Sequence, residues 1–150
     1  MLVTNHVLSG AVIGAVSRSR PASAFLLGVL SHFVLDAAPH WGNWNGRPKF
    51  LHVAVPDGLA GLAVMGTITV LAPREARPAV VAGMAGAALP DLDKPSILWF
   101  GRSPWPGLVN RTHMRIQREA PHYLKYELAA AALFAAAAAG LLRGSRKGFS

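Results

Sequence analysis

The chain has no cysteine. That excludes a disulfide framework and a thiolate metal site, so any transition metal must be held by imidazole and carboxylate. Charge is scarce as well. Asp, Glu, Lys and Arg make up 15% of the residues, against about 25% in an average soluble domain. Only seven residues are acidic, so each buried carboxylate needs a reason. Aromatic residues are 8%, which leaves small aliphatic side chains to fill a core. There is no G-x-x-x-x-G-K-[ST] loop, no G-x-S-x-G elbow and no G-x-G-x-x-G fingerprint. Phosphate-loop, serine-hydrolase and dinucleotide-binding chemistry therefore have no local support.

Fifteen Lys and Arg give a formal net charge of +8. A basic balance suits nucleic acid, anionic lipid or a phosphate-bearing substrate. Here the basic residues are scattered through the loops rather than gathered in one stripe, so nucleic acid is not an expected partner.

Apolar residues are 52% and glycines number 15. They concentrate in five segments, residues 7–16, 22–38, 53–72, 79–89 and 122–142. A bilayer span needs about 20 predominantly apolar residues. The third and fifth segments reach that, the second just does, and the first and fourth are short. The expectation is an all-α single domain over residues 1–150, a small bundle of about five helices, integral to the cell membrane and multi-pass. It is built from one hairpin over about 4–40, a second over about 54–93, a loop and amphipathic segment over 94–121, a C-terminal helix over 122–142 and a basic tail over 143–150. Small residues let helices approach closely in lipid. The same composition also suits a soluble alanine-rich bundle. No removable leader is expected, since a basic stretch followed by an apolar core and a cleavage site is missing at the start. An internal repeat relates the hairpins: His6-x-x-x-Gly10 matches Asp57-x-x-x-Gly61, and Gly28 and Gly83 precede Asp36 and Asp91 at equal spacing.

Antiparallel folding of consecutive segments gathers the metal-binding residue types at one end. His6 opens the first segment, His32, Asp36 and His40 close the second, and Asp57 opens the third. Asp91 and Asp93 close the fourth, and His113 and His122 precede the fifth. Of the histidines only His52 stands outside. His32-x-x-x-Asp36-x-x-x-His40 is the sharpest pattern, because positions four apart share a helix face. Pro90-Asp91-Leu92-Asp93-Lys94-Pro95 places two aspartates between prolines, where they can chelate one cation or bridge two. His6, His32, Asp36, His40, Asp57, Asp91 and Asp93 are the candidate ligands, and Asp57 has a helix cap as its simpler role. His113 and Glu119 are the candidate general acid/base groups. Arg111 and Arg115, with Arg118, are candidates to hold an anion. Without thiols, zinc is the expected metal, with manganese or nickel as alternatives. Trp41, Trp44, Trp99 and Trp105 all fall in loops of this end, as indoles at a membrane boundary do.

These motifs resemble the bacterial membrane-bound metal-dependent hydrolase family. His6 with Gly10, Pro90-Asp91-Leu92-Asp93-Lys94-Pro95, Arg111-Thr112-His113, and Ser31-His32 with Asp36 carry the resemblance. Two features depart from that pattern. Ser-His-x-x-x-Asp comes before Asp-x-Asp rather than last, and Lys94 stands where the family has His. His32, Asp36, Pro39-His40 and Asn43 are also similar to a fragment of the zinc-dependent phospholipase C and P1 nuclease group, without its leading Trp. Both resemblances imply a metal-dependent hydrolase, of phosphoester or lipid-linked substrates. The alternative is a non-enzymatic membrane scaffold or metal-handling protein.

Overall fold

The computed structural model describes residues 1–42 and 47–147, with side chains described outside 47–50 and 145–147. Asn43 and Trp44 lie outside the described residues. Of the described residues 82% are helical, so the all-α expectation holds. The helices are α1 (Val3–Ser17), α2 (Pro21–Ala37), α3 (Arg47–Leu71), α4 (Arg77–Ala88), α5 (Asp93–Phe100), α6 (Gly107–Ile116) and α7 (Leu124–Lys147). Two short strands, β1 (Pro39–His40) and β2 (Arg118–Glu119), pair in parallel with His40 opposite Glu119.

The five apolar segments became α1, α2, α3, α4 and α7, with α5 and α6 between the last two. The segment expected as loop and amphipathic stretch holds two further helices. Pro95 does not prevent α5, because it sits in the first turn, where its missing amide is not needed. Gly101 ends α5 in the left-handed region at φ 71°, which glycine adopts without a Cβ clash. α3 begins earlier than the apolar run and continues through Pro56.

The second hairpin opens out. α4 makes little contact with α3 and lies instead against both α1 and α2. Glycine permits this. A Cβ on Gly10 or Gly28 would collide with the backbone carbonyl of Gly83, and one on Gly86 with that of Phe25. Without those side chains the three backbones touch, the small-residue packing that favours helix association in lipid. Around this contact Val7, Ala11, Ala15, Val80 and Met84 form a core, joined by Ala138 and Leu142 of α7.

α3 and α7 pack on α1 from outside. Leu51–Leu71 and Pro121–Gly144 are long and apolar enough to cross a membrane, and only 6% and 17% of their apolar windows are buried. α1 and α2 are shorter apolar helices.

Two carboxylates fasten the start of α1. Asp57 of α3 accepts the backbone amides of Val3 at 2.7 Å and Thr4 at 3.2 Å, and the Thr4 hydroxyl at 2.6 Å. Glu127 of α7 accepts the Leu2 amide at 2.7 Å, Asn5 Nδ2 at 3.0 Å and the Trp41 amide at 3.2 Å. The first amides of a helix have no partner within it, and these two acids supply one while favouring the positive end of the helix dipole.

Candidate metal centre

α2 ends with His32 and Asp36 one helical turn apart and both fully buried. The α4 exit turns through Pro90, whose carbonyl accepts the Trp105 indole N–H at 2.9 Å, and this brings Asp91 to the same point. α6 touches the bundle end through His113, its one buried residue among those described. One atom from each of these four residues lies within 4.8 Å of the others.

The separations fit one small cation. Asp36 Oδ2 is 2.9 Å from His113 Nε2 and 3.2 Å from His32 Nε2. The two Nε2 atoms are 3.0 Å apart. Asp91 Oδ1 is 3.7 Å from His32 Nε2 and 3.8 Å from His113 Nε2. A tetrahedral zinc with ligands at roughly 2.0–2.1 Å has ligand–ligand edges of about 3.3–3.4 Å, the middle of this range.

The tautomers point the same way. His32 Nδ1–H donates to the Ala87 carbonyl at 2.7 Å. That carbonyl can only accept, so in the neutral ring the Nε2 lone pair is turned inward. A second hydrogen bond on the far nitrogen is how metal-binding histidines are usually oriented. His113 Nδ1 lies 3.7 Å from Asp93 Oδ2, a carboxylate behind the second ring. Two inward nitrogens at 3.0 Å need a proton or a cation between them and their neighbours. Burial disfavours charge on His113, but its hydrogen bond to Asp36, the Asp93 carboxylate behind the ring and the charge of Asp91 outweigh that and hold its pKa up at about 9. A proton therefore occupies the position in the metal-free protein.

A supporting layer surrounds these four. His6 Nε2 lies 3.1 Å from Asp36 Oδ1, and its ring stacks on His32 at 3.8 Å. The Met1 nitrogen donates to the same Oδ1 at 2.7 Å. Gln117 Nε2 donates to Asp36 Oδ2 at 3.4 Å. Lys94 Nζ donates to Asp91 Oδ1 at 2.6 Å. Burial alone would raise the Asp91 carboxyl, but the Lys94 ammonium beside it holds it below its ordinary range.

His40 belongs to a separate pair. Its Nδ1–H donates to the Ala38 carbonyl at 2.8 Å, and its buried Nε2 faces Glu119 Oε1 at 3.5 Å. Gly42 makes room, since a Cβ there would meet the Glu119 side chain at 2.7 Å.

No family model matches the chain, and neither a curated protein nor a solved structure is similar to it.

The sequence reading is sharpened at several positions. His32, Asp36 and Asp91 converge as candidate ligands, with His6 and Asp93 one step behind them. His113, a candidate acid/base and next in line as a ligand, has its Nε2 among the candidate ligand atoms. Asp57 was a candidate ligand, but its carboxylate is taken up by the start of α1, which is the simpler capping role transferred to another helix. Arg111 and Arg115 are exposed on α6, with no described contact to the cluster. Sequence reasoning missed Gln117, Lys94 as a partner of Asp91, and Glu127. Glu127 did carry a signal, as an acid at the start of the long alanine run.

Proposed function

We propose that the chain is a multi-pass membrane protein and a metal-dependent hydrolase acting on a phosphoester or lipid-linked substrate. The observation that carries the reading is the convergence of four buried ligand atoms in a set made only of imidazole and carboxylate. His32, Asp36, Asp91 and His113 hold a divalent ion, zinc in the first place and manganese or nickel as alternatives. Such an ion supplies a water activated near neutral pH and a positive charge for the leaving oxygen.

The remaining residues act around it. Gln117 and His6 keep Asp36 in position. Glu119, paired with His40 at 3.5 Å, serves as proton acceptor or donor for substrate. Arg111, Arg115 and Arg118 are exposed and are the candidates to hold a phosphate.

The membrane reading rests on what the helices leave uncovered. A core helix of a soluble protein hides its apolar residues, whereas Leu59, Leu62 and Val70 of α3 are 63%, 66% and 74% exposed. Leu128 and Leu133 of α7 are similarly open. Lipid is the partner for such faces. Trp99 and Phe100 of α5 are also open, which suits a site at headgroup depth.

The test is the metal content of protein purified from detergent-solubilised membranes without chelator. Bound transition metal is expected, lost in Asp36→Ala and His32→Ala while both variants stay in the membrane fraction. Full retention in both overturns the site, and recovery of the wild-type protein in the soluble fraction overturns the membrane reading. Phosphodiesterase activity that falls in Glu119→Gln without metal loss supports the enzyme. Metal without any hydrolysis favours a metal-handling scaffold.

A further inference from the structure

Asp91 Oδ1 faces two ways. On one side it completes the ligand group at 3.7 Å from His32 Nε2 and 3.8 Å from His113 Nε2. On the other it accepts Lys94 Nζ at 2.6 Å. A carboxylate between two cation positions is the arrangement of two-metal hydrolases, whose ions stand about 3.5–4 Å apart. Here the second position is filled by an ammonium group on the chain itself. Asp93 lies next to Lys94, and its Oδ1 is buried with no hydrogen-bond partner among the described residues, so a further oxygen ligand stands nearby.

We propose that Lys94 takes the place of a second divalent ion, so that the centre holds one metal ion with Lys94 as its fixed counter-cation. The inference rests on the metal centre proposed above and deepens it.

Charge supports the count. Asp36, Asp91 and Asp93 bring three negative side chains into the buried cluster, and the Met1 and Lys94 ammonium groups bring two positive charges. One divalent ion leaves the cluster one positive charge in excess, with the histidines neutral as ligands. A second divalent ion added beside Lys94 leaves three positive charges unmatched, and uncompensated charge away from water is strongly disfavoured. Lysine suits the role as a compact point charge on a flexible stem, able to pair with one carboxylate oxygen without entering the coordination shell.

Removing the charge reopens the second position. The experiment loads metal-free, detergent-purified protein with manganese and counts bound ions by elemental analysis and by electron paramagnetic resonance. The latter separates isolated manganese from a coupled pair. Wild type and Lys94→Arg are expected to bind one ion per chain with an isolated signal. Lys94→Gln is expected to bind two with a coupled signal, and Lys94→Ala is a second neutral variant with the same expectation. Two ions in wild type, or one or none in the neutral variants, overturns the role of Lys94 and leaves the one-site centre standing wherever wild type still binds metal. No ion in any of the four proteins overturns the metal centre itself.

Discussion

The glycines at the contact of α1, α2 and α4 and most of those in α3 and α7 do opposite things. At Gly10, Gly28, Gly83 and Gly86 an added Cβ runs into the backbone of a neighbouring helix. At Gly58 and Gly66 of α3 and Gly140 and Gly144 of α7 it meets nothing within 4 Å. In the inner trio glycine is the contact surface. In the outer pair it is a gap in an exposed face and a helix-weakening residue. One composition thus serves two environments. The inner trio packs backbone to backbone and carries most of the candidate metal cluster at its end. The outer pair leaves leucine and valine side chains exposed.

The comparison is most sharply broken at Gly83. Gly83→Val forces α4 away from α1, an overpacking cost of about 3 kcal/mol or more. Loss of helicity on mild heating in detergent is the expected result, and a variant as heat-stable as wild type would show that the close contact contributes little. A smaller effect is expected at Asp57, where the outer pair holds the inner trio. Asp57→Ala removes the acceptor for two amides and a hydroxyl, at about 2 kcal/mol. Bound metal should be unchanged, and metal loss in this variant would make Asp57 part of the centre after all.

The polar end of the inner trio is sharpened by pH. His113 must release its proton to bind metal, and the metal-free protein holds that proton up to about 9. Metal affinity should therefore rise by about tenfold per pH unit from 6.5 toward 9. The stability of the metal-free protein should move the other way. The raised value stabilises the fold fully below the ordinary histidine value, and the contribution is lost as pH rises through about 9. Flat affinity over that interval would remove His113 from the ligand group. The smallest effect belongs to the outer pair, where Gly66→Ala should be neutral or stabilising by about 0.5–1 kcal/mol.

Much of this was legible in the chain. Apolar segment lengths and the absence of cysteine specify helices and restrict a metal to imidazole and carboxylate, because both follow from residue type alone. His32 and Asp36 were readable as a pair because helix periodicity is local. Partners chosen across the bundle were not readable. Asp57 and Glu127 carry the same carboxylate as Asp36, yet they serve helix amides, since α1 starts beside them. His113 lay in a polar stretch that looked like surface, and it is buried because α6 docks by that one side chain. Nothing local distinguishes Gly83 from Gly66, or a lysine in solvent from one on Asp91. The sequence by itself determined the helical class, the apolar faces and the kinds of ligand, all of them properties of single segments. Only the tertiary structure decided which four candidate ligands meet and which acids become caps. Those outcomes depend on where α4 enters between α1 and α2, and backbone contact at a few glycines sets that position.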